Sequence, residues 1–175
     1  ILTLSLLEVQ TSAHPLGGTM LKPEDLTDTK ISQRGDMGFW HQQSVKRKDV
    51  KTITFLSSTS TAPRNVLDFS ANGDLCVMGW IENGNVYVAT DGQITLNEDS
   101  SYLFSGMRNL TKINFNGVVY TDRVKYMDHM FQGCEKLEEI DLSGFDTSKV
   151  VDMTAMFYDC KDLDELDVSG FDTSK

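Results

Sequence analysis

Carboxylates, thiols and imidazoles are the groups in this 175-residue chain with the types and spacing to do chemistry. Glu139 and Asp141 recur as Glu165 and Asp167, 26 residues on. On neighbouring strands about 4.8 Å apart they form a close two-by-two cluster, with Lys112 and Asn114 at the same positions one period earlier. Such a cluster could dock a cationic patch or hold Ca²⁺ weakly through oxygen ligands. It is also the ordinary appearance of a solvated sheet face whose charge resists aggregation. Cys134 and Cys160 share one position that Met107 occupies a period earlier. A slot that accepts Met is apolar, so these thiols read as packing. A ladder of identical Cys does not pair naturally into disulfides, and Cys76 stands apart from it. No CxxC or Cys/His spacing suggests zinc. His14, His41 and His129 are the only histidines, and His129 falls where Ala155 stands one period on. There is no nucleophile elbow, HExxH or glycine-rich phosphate loop. The expectation is a non-catalytic chain with no catalytic residues, metal site or cofactor.

Two short motifs bear on partners. Arg34-Gly35-Asp36 is the tripeptide of integrin-type loops and lies in an irregular stretch; three letters also arise by chance. Asn109-Leu110-Thr111 is a glycosylation sequon just ahead of a strand, and reads as structural.

The elements that must position these groups are repeats. Phe104, Phe131 and Phe157 are 27 and 26 residues apart, as are Leu110, Leu137 and Leu163. The one extra residue falls in a loop between Gly117 and Val124 and spares both apolar patterns. In Leu137-x-x-Ile140-x-Leu142 the alternation predicts a strand with Ile140 and Leu142 inward, Glu139 and Asp141 outward. Val150, Met153, Met156 and Phe157 fall at i, i+3, i+6 and i+7, which predicts a short helix, with Asp146, Thr147 or Ser148 as N-cap. Neither face can bury itself alone, so coil must stack on coil. The expected fold class is α/β: a leucine-rich repeat solenoid with a strand and a short helix per coil of about 26 residues.

Three regions follow. Residues 99–175 are the repeats, the last one truncated. Residues 50–98 alternate in β fashion at 52–56, 75–80 and 86–88, with hairpin signals at Asn83-Gly84 and Asp91-Gly92. They predict a small antiparallel β cap that shields the first coil. Residues 1–49 read as an irregular lead-in or the end of an upstream segment. Its ILTLSLLEV stretch is too short to span a bilayer, and reads as the remnant of a signal peptide or a continuation from upstream. A chain that begins with Ile and stops in mid-repeat reads as a fragment.

The letters narrow the match. LSGFDTSKVVDMTAMFYDCKDLDELDVSGFDTSK resembles the Met-Phe-rich repeats of the BspA-like surface proteins of bacteria, in which an FDTSxVxxMxxMFxxC unit is reiterated. VKTITFL, LDFSANGDLCVMGWIENGNVYVATDGQI and EDSSYLFSGM resemble the segment before the first repeat. Leu67 replaces an expected aromatic, and GVVYTDRV replaces GFDTSKV in the first coil. The resemblance implies a secreted or surface-displayed protein that adheres to host matrix, host cells or other microbes through protein or glycan ligands. The alternatives are a passive stalk, or an accessory repeat region of a larger surface enzyme. Net charge is −10, and residues 99–175 carry 8 Lys/Arg against 15 Asp/Glu. That balance disfavours nucleic acid and anionic membrane. The ligand-facing residues expected are Lys112, Asn114, Glu139, Asp141, Glu165 and Asp167.

Overall fold

The computed structural model of the chain describes residues 20–21, 30–40 and 42–174. The ILTLSLLEV stretch, His14 and His41 lie outside the described residues. A single helical turn, α1 (Ile31–Arg34), precedes an antiparallel pair, β1 (Gly38–Phe39) and β2 (Gln42–Lys46). Then follow β3 (Thr52–Leu56), β4 (Leu67–Asp68), β5 (Met78–Glu82), β6 (Asn85–Ala89), β7 (Ile94–Thr95), β8 (Lys112–Asn114), β9 (Val119–Tyr120) and β10 (Glu139–Ile140). One six-stranded sheet has the order β10-β8-β3-β6-β5-β4, and β7 pairs with β9 in a second, parallel ladder. A third parallel contact runs through Asp99, Tyr126 and Asp152.

The expected leucine-rich repeat solenoid with a helix in every coil is not formed. Among the described residues, helix is confined to α1 and a 3-10 turn at Arg47–Asp49. Residues 101–106, 128–133 and 154–159 are successive tight turns. Val124, Met127, Met130 and Phe131 are buried as their spacing implies, but the backbone beneath them is not helical. Tyr102, His129 and Ala155 have φ of 61°, 56° and 52°, a left-handed conformation that interrupts an α-helix. Every second N–H leaves its own coil: Tyr102, Phe104 and Gly106 donate to the carbonyls of Asp128, Met130 and Gln132, and His129, Phe131 and Gly133 to those of Thr154, Met156 and Tyr158. Hydrogen bonds that a helix would close within itself therefore tie each coil to the next. Apolar residues at i, i+3, i+6 and i+7 serve two consecutive turns as well as they serve a helix.

The apolar columns run through the stack. Phe104, Phe131 and Phe157 stack with ring centroids 5.2 Å apart at both steps and interplanar angles of 12° and 6°. Cys134 donates its S–H to the Phe104 carbonyl at 3.2 Å, and Cys160 does the same to Phe131 at 3.2 Å. The thiol slot is thus a weak donor position as well as an apolar one. Burial raises the Cys160 thiol to about 11 and pushes Cys134 up as well.

The expected antiparallel cap is also corrected. The Asn83-Gly84 turn, with φ of 53° and 87°, joins β5 and β6 as a hairpin. However, β3 lies between β6 and β8 and is parallel to both, so residues 50–98 share one mixed sheet with the repeats. No local signal orients β3, because its partners are brought in by chain that returns from elsewhere. Asp91-Gly92 is not a hairpin turn: Asp91 accepts the Thr59 N–H at 2.8 Å, Gly92 donates to the Ser57 carbonyl at 3.1 Å, and β7 pairs forward with β9.

The open side of the first coil is closed by residues 30–40 and 42–49. Arg47, fully buried, directs Nη1 at the carbonyls of Tyr102, Leu103 and Ser105 at 3.2, 3.3 and 2.9 Å. One coil on, the positions of Leu103 and Ser105 are Met130 and Gln132, whose carbonyls accept N–H groups from the coil before. A guanidinium therefore does for the first coil what a preceding coil would do. Trp40, also buried, packs edge-on against Phe69 and Phe104 with centroids 4.7 and 6.3 Å apart.

Candidate binding face

Alternation along β3, β6 and β8 buries Ile53, Phe55, Val86, Val88 and Ile113 and turns the intervening side chains outward. Register then lays these outward residues in two rows across the sheet. Glu139, Lys112, Thr52, Asn85 and Glu82 form one row; Asn114, Thr54 and Tyr87 form the other, which ends against the buried Trp80. Lys112 and Glu139 form an ion pair across β8 and β10. Thr52 donates to Asn85 Oδ1 at 2.8 Å, and Asn114 Nδ2 reaches Thr54 Oγ1 at 3.4 Å. Tyr87 stacks on Trp80 with centroids 5.2 Å apart and planes at 16°.

Of the six expected residues, Lys112, Asn114, Glu139 and Asp141 line one shallow trough of about 620 Å³ at the strand ends, together with Asn116, Ser143 and the buried Phe115 and Phe145. Asp141 and Asp167 line a second trough of about 190 Å³ beside it. Glu165 and Asp167 are exposed, but no strand forms over them, so the paired sheet ends at β10. Asp141 and Asp167 are also less available than their letters imply. Each carboxylate accepts a backbone N–H two residues on, from Ser143 at 3.0 Å and Ser169 at 2.9 Å. Hydrogen bonds from those serines, hydroxyl first and backbone second, hold both carboxyls below the usual range. Asp146, Asp152 and Asp172 make the same turn, to Ser148, Thr154 and Ser174. Much of the acidic charge of the repeats therefore caps turns. Among the described residues, no group of three or more His, Cys, Asp or Glu is placed to hold a metal ion.

The Arg34-Gly35-Asp36 tripeptide is built into the fold. Arg34 is 6% exposed, donates to Ser105 Oγ at 3.1 Å and to Gln132 Oε1, and lies 4.5 Å from the Tyr102 ring centroid. Its guanidinium thus pins residues 30–36 to the first two coils. Asp36 pairs with Lys48 on the surface. His129 stacks on Tyr102 at 5.0 Å and faces Asp128 through Nδ1 at 3.0 Å. Asn109 Nδ2 donates to the Lys48 carbonyl at 2.8 Å, so the sequon asparagine serves as a clasp.

Thr52, Thr54, Asn85 and Tyr87 belong to the face as well, although they are not among the six expected residues. Their outward orientation is legible from alternation, but their position beside Lys112 and Asn114 depends on a parallel pairing 60 residues apart in sequence.

The face is polar, shared between repeat strands and their lead-in, and hydrogen-bonded within itself. Residues 98–175 match a family model described as "Mycoplasma protein of unknown function, DUF285". The match is consistent with the BspA-like surface resemblance and with a surface location, and carries no detail of the repeat type. No curated protein and no solved structure matches the chain. No helix among the described residues is long and apolar enough to cross a membrane.

Proposed function

We propose that the chain is a non-catalytic binding module of a secreted or surface-displayed bacterial repeat protein, adhering to host matrix, host cells or other microbes. The observation that carries this reading is the outward polar face, continuous from β10 through β8, β3 and β6 to β5. A rigid sheet of this kind offers many small contacts whose effects add when modules are joined, without new chemistry. The test is retention of the protein on immobilised matrix extract, host cells and bacterial cells, against an unrelated acidic repeat protein. Saturable retention that is lost when Lys112, Asn114 and Glu139 are scrambled supports the module. Retention no greater than the control's refutes it.

A second reading, a passive stalk or the accessory repeats of a larger surface enzyme, is favoured by the carboxylates committed to turns. In that case the face scramble leaves retention by the parent protein unchanged.

A further inference from the structure

The trough between β8 and β10 has a composition that selects among ligand classes. Resting on the binding-module reading above, we infer that it is a subsite for a neutral oligosaccharide, held by its hydroxyl groups. Three polar side chains on its rim are already fixed by internal hydrogen bonds, and each bond determines which atom faces out. Asn116 gives Nδ2 to the Phe55 carbonyl at 2.8 Å, which turns its Oδ1 away from the protein. Asn114 uses Nδ2 toward Thr54, and Asp141 uses Oδ1 for Ser143. The atoms left for a ligand are therefore oriented acceptors: Asn114 Oδ1, Asn116 Oδ1 and Asp141 Oδ2. Beside them stands one donor, the Lys112 ammonium, which lines the same trough; the Ser143 hydroxyl gives its hydrogen to Asp141 and keeps its lone pairs as a further acceptor.

A hydroxyl both gives and accepts a hydrogen bond, so adjacent hydroxyls on a sugar can give to the fixed acceptors of the rim and accept from the ammonium among them. Charge narrows the class further. Lys112 is paired with Glu139, and Asp141 adds one more negative charge, so a sulfated or sialylated chain is repelled. A protein partner fits less well, because hot spots need an apolar or aromatic anchor in a desolvated pocket. The exposed large apolar side chains among the described residues are Met37, Leu75, Tyr120, Tyr126, Val151, Tyr158, Leu166 and Val168, and none lines this trough. The floor is open as well: a Cβ built on Gly117 or Gly144 meets nothing within 4 Å. Two strands from β8, the Tyr87 ring lies level with Thr54 and Asn114, where a second sugar ring can rest on its apolar body.

The experiment measures binding of the protein to immobilised neutral tetrasaccharides of glucose, mannose, N-acetylglucosamine and N-acetyllactosamine, with sialylated and sulfated forms alongside. Two substitutions spare the backbone. Asn116→Gly suits the residue's φ of 52°, and Asp141→Asn keeps an acceptor for Ser143. Saturable binding to at least one neutral chain, weakened about tenfold by each substitution and unchanged by Val151→Ser outside the trough, supports the subsite. Binding to no neutral chain, preference for the sulfated forms, or indifference to both substitutions overturns it. Enzymatic deglycosylation of the retained host or bacterial surface separates this inference from the module reading. If retention survives deglycosylation, the glycan subsite is refuted while adhesion stands. If retention falls with the sugars, both stand.

Discussion

Removing the Arg47 side chain tests how the stack of coils is closed. The guanidinium makes three hydrogen bonds to buried carbonyls, and two of these, on Leu103 and Ser105, occupy positions that receive inter-coil N–H groups in the next coil. Arg47→Met keeps the apolar stem and takes away fork and charge together, so no buried ion is stranded. Each carbonyl left without a donor costs about 1–3 kcal/mol. The Tyr102 carbonyl keeps the Ser105 N–H, so two groups are left, and offset by relief of the buried charge they give a loss of about 3 kcal/mol. That is a large fraction of the roughly 5–15 kcal/mol that holds a domain folded. With a urea slope of about 2 kcal/mol/M, the midpoint falls by about 1.5 M at unchanged slope. Arg47→Lys retains a point charge but not the planar fork, and is expected to fall between the two proteins. The comparison is Arg64→Met, an exposed arginine expected to stay within about 0.5 kcal/mol. If the Arg47→Met midpoint shifts no more than that of Arg64→Met, the carbonyls have another partner and the closing role is refuted.

Gly79→Ala places a Cβ 2.0 Å from the buried Phe69 ring; a loss above about 3 kcal/mol is expected, read as a fall of about 10 °C in melting temperature. On acidification, Asp141, Asp152 and Asp167 lose stability together. Their folded pKa values are depressed by hydrogen bonds from Ser143, Thr154 and Ser169, so the stabilisation is complete above the unfolded value near about 3.9 and disappears as pH falls through the folded one. Thermal melts stepped down from about pH 5 should show a falling midpoint, and a flat profile contradicts the turn-capping role. Cys134 should resist iodoacetamide in the native protein at pH 8 because it is enclosed and its thiol is held protonated, and should label once urea unfolds the chain. Rapid native labelling of Cys134, followed by mass spectrometry, counts against its place in the core.

The inward and outward sorting of side chains was legible in the sequence wherever it depended on neighbours one or two residues away. Ile53 and Phe55 against Thr52 and Thr54, the Asn83-Gly84 hairpin, and the exposure of Lys112, Glu139 and Asp141 all belong to that class. The period was legible too, since Phe104, Phe131 and Phe157 stack as their spacing requires. What escaped was the destination of backbone N–H groups. Met127, Met130 and Phe131 present the same apolar spacing whether their amides close a helix or reach the next coil. The left-handed φ of His129 decides between these, and the position carries Tyr102 and Ala155 in the neighbouring coils, so no one residue type marks it. Parallel pairing of β3 with β8 likewise leaves no mark on either strand. The letters around Arg34 suggest a loop motif, whereas its burial against Tyr102 is set by packing with residues far along the chain.

The alternation of inter-coil hydrogen bonds gives the stack a direction. In each turn segment the amide hydrogens that leave the coil point toward the higher-numbered coil, and the carbonyls that receive them toward the lower-numbered one. Its two ends therefore differ chemically, as the plus and minus ends of a filament differ. A cation such as Arg47 can terminate the low-numbered end, where acceptors are presented, and would be useless at the other. Whatever meets the amides of Ala155, Phe157 and Asp159 has to bring oxygen atoms, whether from a further coil or from a foreign chain. The fold thus admits growth, closure and capture at that side only by partners rich in acceptors, and an arginine placed there would stop nothing.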